Sequence, residues 1–374
     1  MKKLLHLQLL PWLTGVQNFS LHLLDGLPPD EFEIHVASQP GGDLVSAVRQ
    51  RGYSYIPLSL LRHPISLLDL FAFLQLIWVF RKHRFDIVHT NSSKPGLLGR
   101  IAATLCGVPL VIHTVHGTAF QAGQPPLVQF AYQALEWLGN RLCHQVVYVN
   151  DSDRLNCLRL GLVSASKAKT IHNAIPPELS RQLEEIAQKR KRKKRGDEFV
   201  IGSTLRFSCQ KNVIALVSAA CQACKAEPRL RFILLGEGEH LALCRQIVRS
   251  HQLNHRILLP GWDPRVADWL ARFDAFILWS RWEAQPLSII EAMFSGLPVI
   301  GSAIPSIAEL VTDDCGWLIA LDDTKALTEC MISLARHSAA GAKKGIAARQ
   351  RISALCSYNQ MVSSYLGLYR QSGI

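Results

Sequence analysis

The stretch SRWEAQPLSIIEAMFSGLPVIGS, residues 280–302, contains one complete helix-to-strand step. A turn carrying Pro286 leads into an apolar run that starts a helix. Gly296 and Pro298 then close the helix, and PVIGS reads as a short buried strand. Two carboxylates lie on either side of the helix start, Glu283 in the turn and Glu291 in the first turns. Ser288 and Glu291 also spell S-x-x-E, a capping box in which the glutamate folds back onto backbone N–H groups. That reading accounts for Glu291 and leaves Glu283 unexplained. A functional reading uses both. The open N–H groups and positive dipole end of the helix suit a diphosphate. Glu291 suits the vicinal hydroxyls of a ribose and Glu283 a sugar hydroxyl, because each carboxylate offers two acceptor oxygens.

Outward from this step the same rhythm repeats. Apolar runs at 199–205, 230–236, 256–261, 275–280 and 298–302 alternate with helical stretches, which predicts a parallel sheet covered on both faces. An earlier set of runs, at 4–10, 33–37, 87–90, 110–114 and 146–149, alternates in the same way. Between the two sets, residues 176–197 are polar, charged and helix-like. The expected class is therefore α/β, with two Rossmann-like doubly wound domains facing across a cleft. The predicted boundaries are 1–170 for the first domain, 171–198 for a linker, and 199–356 for the second. The last helical stretch, 357–374, is expected to return to the first domain. Ligands in such sheets bind outside the carboxyl ends of the strands.

The 374 residues are 48% hydrophobic and 19% charged, which fits folded domains and excludes a disordered chain. Ten cysteines show no regular framework, and the Cys221/Cys224 pair lacks the partners of a zinc set, so a reducing setting is expected. The opening MKKLLHLQLLPWLTG has two lysines and an apolar run. It lacks a small-residue cleavage site and is interrupted by His6 and Gln8, so it reads as a buried strand. The segment PISLLDLFAFLQLIWVF, 64–80, is marginal for spanning a bilayer and reads as a packed or membrane-surface helix. The net charge of +12 is concentrated: KRKRKKR at 189–195 holds seven of the twelve, leaving five for the rest of the chain. Such a run suits a solvated loop or an anionic membrane surface. Aromatic residues do not interleave with it, so nucleic acid is not an expected partner.

Several loops at predicted strand ends carry suitable chemistry. In GSTLRFSCQKN, Arg206 and Lys211 follow a strand and precede a helix, where a planar fork and a point charge can hold a diphosphate. The glycine pair of LLGEGEH fits either a tight turn or a nucleotide. Gly261 and Trp262, at another strand end, can flank a base, or the tryptophan can be core. DSD at 151–153 has the spacing of a metal-binding pair, but it opens a helix, where capping is the simpler role.

These motifs, in this order, resemble the retaining glycosyltransferases of family 4, with the GT-B fold. EAQPLSIIEAMFSGLPVI resembles that family's E-x7-E region, and STLRFSCQKN its G-R-L-x-x-x-K-N/G loop, with Leu205 where glycine is usual. KAKTIHNAI, IHTVHG, TGVQNFSLHLLDGL and FDIVHTNSSKPGLLGRIAA match further family segments along nearly the whole chain. The resemblance implies sugar transfer from a nucleoside diphosphate, most often UDP, with retention at the anomeric carbon and without a metal or other cofactor. It implies that Arg206 and Lys211 hold the diphosphate, Glu291 the ribose, and Glu283 the transferred hexose or N-acetylhexosamine. The backbone of Gln285, Pro286, Leu287 and Ser288 would cradle phosphate and sugar, and His116 would sit near the anomeric carbon. The loop at Thr14 and Gly15 would close on donor phosphates and acceptor. The implied acceptor is a glycan or lipid-linked oligosaccharide in polysaccharide or lipopolysaccharide synthesis, at the inner face of the plasma membrane. Two other readings are an epimerase of the same fold and a non-catalytic membrane- or RNA-associated protein. The convergence of Arg206, Lys211, Glu283 and Glu291 discriminates them.

Overall fold

A computed structural model describes residues 1–61, 69–121, 123–192 and 198–371. The chain divides into two compact units: Met1–Ala174 with Tyr358–Ile374, and Ile175–Ser357.

The first unit holds the strands β1 (Lys2–Leu7), β2 (Phe32–Ser38), β3 (Ser54–Pro57), β4 (Ile87–Asn91), β5 (Leu110–Val115), β6 (Gln145–Tyr148) and β7 (Ala168–Thr170). Among the described residues they pair in parallel in the order β3-β2-β1-β4-β5-β6-β7. Its helices are α1 (Gly15–Asp25), α2 (Gly42–Gln50), α3 (Asp69–His83), α4 (Ser93–Leu105), α5 (Pro126–Arg141) and α6 (Asp151–Arg159). One buried cluster joins α3 and α4 to one face of the sheet. Another joins α1 and α2 to the opposite face. With both faces covered, the central strands β4 and β5 are buried throughout; they begin with apolar residues and bury His89, Thr90, Asn91, His113 and Thr114 toward their carboxyl ends.

The second unit begins with α7 (Pro177–Arg192), whose Leu183 and Ala187 are buried, and continues with β8 (Phe199–Thr204). The strands β9 (Leu230–Leu235), β10 (Ile257–Gly261), β11 (Ala275–Leu278), β12 (Val299–Ser302) and β13 (Gly316–Ile319) complete a parallel sheet in the order β10-β9-β8-β11-β12-β13. Its other helices are α8 (Val213–Ala226), α9 (Leu241–Ser250), α10 (Val266–Leu270), α11 (Leu287–Phe294), α12 (Pro305–Ala308), α13 (Thr324–Arg336) and α14 (Ser338–Leu355). The strand order reverses between β8 and β11, and their carboxyl ends lie side by side.

The last helix, α15 (Tyr358–Arg370), belongs to the first unit, as its position at the chain end predicts. Its Tyr369 hydroxyl bonds His6 at 2.9 Å and His89 at 2.6 Å, and its Tyr365 hydroxyl bonds Thr114 at 3.0 Å. The expected first strand, 4–10, starts earlier and stops at Leu7. Beyond it the buried Gln8 turns its amide to Ser20 of α1. Three strands have no counterpart among the expected apolar runs: β3, β7 and β13. Each ends a sheet, has three or four residues and is partly exposed; SYIP and AKT form no apolar run, whereas Trp317–Ile319 of β13 is a short apolar run that the expected set omits. Of the 64–80 segment, residues 64–68 lie outside the described residues; the rest is α3. Among the described residues, no helix is long and apolar enough to cross a membrane. Most of the 189–195 run carries side chains outside the described residues, and residues 193–197 lie outside them entirely.

Candidate active site

In the second unit the candidate residues stand on loops at the carboxyl edge of the sheet. β8 runs into residues 205–212, which end in a 3-10 turn at Cys209–Lys211 and in Asn212, whose left-handed backbone (φ 49°) starts α8. β11 runs into the loop that carries Glu283 and feeds α11. Because β8 and β11 are neighbours, the two loops meet. Arg281 N–H donates to the Gln210 carbonyl at 2.7 Å, and the Gln210 amide donates to the Trp282 carbonyl at 3.0 Å. The Arg281 guanidinium reaches Asn212 Oδ1 at 3.1 Å. This lacing brings Lys211 Nζ onto Glu283 Oε1 in a largely buried ion pair. Arg206 points elsewhere. Its side chain is 73% exposed, with Glu239 at 3.6 Å. The structure thus brings Lys211 and Glu283 together and leaves Arg206 exposed on the same loop, where a pair of this kind holds it only weakly.

Glu291 lies inside α11, and the capping box is not formed. The helix starts one residue before Ser288, with Pro286 at the N-cap and no side-chain cap. Glu291 is instead half-buried, and desolvation by the atoms around it pushes its carboxyl up to about 7. A carboxyl held in this state favours a ligand whose hydroxyls donate to its ionised form. The expected backbone cradle also changes. Pro286 has no N–H to give, so of the four residues 285–288 it contributes shape alone. Leu287 and Ser288 hold the first-turn N–H groups, ahead of the first intrahelical bonds of Ile289 and Ile290 to the Pro286 carbonyl. Gln285 is buried, with its amide 3.7 Å from Cys356 Sγ.

The glycine pair of LLGEGEH answers to packing. A Cβ on Gly236 (φ 139°) would come within 1.8 Å of the Leu205 carbonyl oxygen, and one on Gly238 (φ 149°) within 2.4 Å of that of Phe207. The two backbones lie in contact, with Phe207 N–H donating to the Glu237 carbonyl at 2.8 Å. Leu205, in place of the usual glycine, turns its side chain into the core rather than toward an approaching phosphate. Glu237 in turn faces the next loop, 3.4 Å from the Trp262 N–H, and its carboxylate is what a Cβ on Gly261 (φ 95°) would strike. Trp262 is 67% exposed and so is not a core residue. It stands on the same edge as Arg206, on β10, two strands out from β8.

In the first unit His116 follows the end of β5. Its Nε2 lies 3.0 Å from Asn91 Oδ1 at the end of β4, and the Phe19 ring packs on it at 4.8 Å. Burial holds the imidazole down to about 3, so it is neutral at neutral pH. Donation from Nε2 to Asn91 leaves Nδ1 with a lone pair, ready to accept from a hydroxyl. Thr14 is the N-cap of α1 and Gly15 its first residue. The Thr14 hydroxyl turns to Gln17, which also bonds Gln8. Sequence reasoning passes over Asn91, Glu237 and Glu239. Their signal was position, a polar residue at or just past a strand's carboxyl end, which requires the strand ends to be known.

Two other candidates resolve structurally. The DSD motif forms the first turn of α6 rather than its cap: the N-cap is Asn150, which accepts from Asp153 N–H at 2.7 Å, and Asp151 accepts from Arg154 and Thr170. Among the described residues no group of three or more histidine, cysteine or acidic side chains is arranged to hold a metal. Cys221 and Cys224 are buried thiols on α8, with burial pushing both up. A cavity of 1040 Å³ in the second unit is lined by Phe199, Asp274 and Pro298. These residues begin or precede strands, so it lies at the amino edge, away from the candidate loops.

The chain matches two family models in order: Glycosyltransferase Family 4 over residues 13–179 and Glycosyl transferases group 1 over residues 198–337. It is 32% identical to the UDP-Gal:alpha-D-GlcNAc-diphosphoundecaprenol alpha-1,3-galactosyltransferase of Escherichia coli, over 88% of this chain and 87% of that one. Its fold is similar to that of Anabaena Alr3699/HepE in complex with UDP and glucose, with a TM-score of 0.83 and 17% identity over 99% and 100% of the two chains. It is also similar to the sucrose-phosphate synthase of Thermosynechococcus elongatus, with a TM-score of 0.80 and 18% identity over 99% of each chain. With the strand order of each unit, both family models and this degree of identity across most of both chains, the protein belongs to the family 4 (group 1) glycosyltransferases of the GT-B fold.

Proposed function

We propose that this glycosyltransferase moves a hexose or N-acetylhexosamine from a UDP-sugar to a lipid-linked glycan, with retention at the anomeric carbon, in cell-surface polysaccharide synthesis at the inner face of the plasma membrane. The observation that carries the donor half is the meeting of Lys211 and Glu283 at the reversal point of the second sheet, on the loop that feeds the α11 helix. The E. coli relative, whose name gives a UDP-sugar donor and an undecaprenol-linked acceptor, supports the substrate classes.

In this reading Lys211 and Arg206 hold the leaving diphosphate, aided by the first-turn N–H groups of Leu287 and Ser288. These fixed cations and dipoles stabilise the charge that develops as the glycosidic bond breaks, so no metal is required. Diphosphate binding draws Lys211 from Glu283 and frees that carboxylate for a hydroxyl of the transferred sugar. Glu291 accepts from the ribose diol, and Trp262 with Gly261 flanks the base. His116 accepts from a sugar hydroxyl, and the Thr14–Gly15 segment contacts phosphate and acceptor.

Thermal unfolding with a panel of nucleotides and nucleotide sugars, in chelator, tests the donor half. A ligand that binds only the folded state raises the midpoint by mass action. The expected result is a rise with UDP or one UDP-sugar that Lys211→Ala and Glu291→Ala abolish. A rise that requires added divalent metal, or none with any nucleotide, overturns the reading. Retention is read separately, from the anomeric coupling constant of the product by NMR.

A further inference from the structure

The outer surface of the first unit carries a second feature. Helices α3, α4 and α5 pack side by side over one face of its sheet, with α4 in the middle. The face that α3 turns to solvent is apolar. Leu70 (63% exposed), Phe71, Leu74 and Trp78 (59%) lie within about one third of the helix circumference at 100° per residue. A groove of 470 Å³ runs along it, lined by Leu74, Ile77, Trp78, Arg81 and Lys82. The α5 helix is exposed over most of its surface, with Leu127 (80%), Phe130 (68%), Trp137 and Leu138 open to solvent. A soluble monomer seldom leaves two helices of one layer so bare.

The charges on this layer are one-sided. Its acids are turned inward: Asp69 pairs with Lys94 at 2.5 Å and Glu136 with the buried Arg100 at 3.4 Å. Among the described residues no carboxylate pairs with Arg81, Lys82, Arg84 or Arg141. Two of these bases sit over the exposed indoles, Lys82 Nζ 4.7 Å from the Trp78 centroid and Arg141 Cζ 4.2 Å from that of Trp137. An apolar face with tryptophans at its cationic end matches the bilayer interface, where indoles sit at headgroup depth and bases meet lipid phosphates.

We infer that the α3–α5 face docks the chain on an anionic bilayer, with the exposed apolar side chains entering the headgroup layer and Arg81, Lys82 and Arg141 on lipid phosphates. The inference rests on the reading of a membrane-bound acceptor and extends it to a specific surface. It is independent of the 189–195 run.

The test is co-sedimentation of the full chain with vesicles of phosphatidylcholine alone and of phosphatidylcholine with phosphatidylglycerol. Binding is expected to the anionic vesicles and to weaken with salt. Phe71→Glu/Phe130→Glu, both exposed, should lower binding at least ~10-fold with an unchanged unfolding midpoint. Arg81→Gln/Arg141→Gln should lower it about 30-fold, each base near the surface being worth about 1 kcal/mol, and flatten the salt dependence. Transfer to a water-soluble acceptor fragment should persist in both variants; loss of vesicle binding with transfer retained therefore separates this inference from the catalytic reading. Three results overturn it: wild-type chain left in the supernatant, full binding by the Phe71/Phe130 variant, or binding lost only when the 189–195 run is neutralised. A change from dimer to monomer in these variants, with vesicle binding intact, would also overturn it and assign the face to a second copy.

Discussion

Lys211 and Glu283 form an ion pair that is largely shielded from water, and such pairs are sensitive to losing one partner. Lys211→Met leaves the carboxylate buried alone and should cost about 3 kcal/mol in urea unfolding, and Glu283→Leu a similar amount. The double variant should recover most of the loss, and simple addition of the two costs would dismiss the pair. Glu291 presents the opposite case. Its carboxyl ordinarily ionises at 4.5 and in the fold at about 7. Between those values the folded chain keeps a proton that the unfolded chain has released. The contribution is therefore full below 4.5 and lost as pH rises through 7, about 3 kcal/mol in all. Glu291→Gln should be more stable than wild type above pH 7 and should lose the midpoint rise given by UDP. A variant of unchanged stability across pH 5–8 would mean that water reaching this half-buried residue offsets its desolvation. A residue that weakens the fold and is expected to serve the ligand fits a stability–function trade-off.

At the scale of elements, the carboxyl edge of the second sheet is a set of loops held by backbone contact. Gly236 and Gly238 let the β9 loop lie against Leu205 and Phe207, and those residues flank Arg206. Gly236→Ala meets a backbone oxygen as well as an unfavourable φ, and nothing flexible is present to yield. The expected cost is about 3 kcal/mol or more, read by chemical denaturation, with UDP affinity falling beyond what instability explains. Wild-type stability in that variant would show that the loops separate freely. The α11 helix illustrates how an element boundary changes a role: starting at Leu287 rather than after Ser288, it leaves Glu291 too deep to cap.

The two units are expected to respond to acid in opposite directions. The first buries His6, His89 and His113 and half-buries His116, all held down by desolvation, His6 and His116 to about 3. Each takes a proton near 6.5 when unfolded and stays neutral when folded. Their contribution is complete above 6.5 and is lost as pH falls, about 2 kcal/mol at pH 5 for the buried His6. Glu291, in the second unit, gains over the same range. Hydrogen exchange read by mass spectrometry should show protection of the central strands β1 and β4 falling between pH 7 and pH 5 relative to β8 and β11, after correction for intrinsic rates. Parallel changes in both units would refute the assignment. His6 and His89 both bond Tyr369, so α15 is expected to loosen first.

Periodicity and apolar runs were sufficient for the two α/β units, for most buried strands and for the return of the last helix. A strand covered on both faces is largely apolar, and no neighbour is needed to recognise such a run. The motifs around Arg206, Lys211, Glu283 and Glu291 were legible for a related reason, since charged side chains beside predicted strand ends are anomalous in a core-forming sequence. The short edge strands β3 and β7 were not legible, because much of each faces water; the Trp317–Ile319 run of β13 was present in the sequence and was not among the expected strands. Nor could the sequence show that Lys211 meets Glu283 while Arg206 meets Glu239. That depends on β8 lying beside β11, a pairing between segments more than seventy residues apart. The difference between a capping Glu291 and a desolvated one, and between a buried and an exposed Trp262, likewise depends on which neighbours cover each side chain. Local sequence sets which groups are present; the tertiary fold sets which of them lose water and which acquire partners.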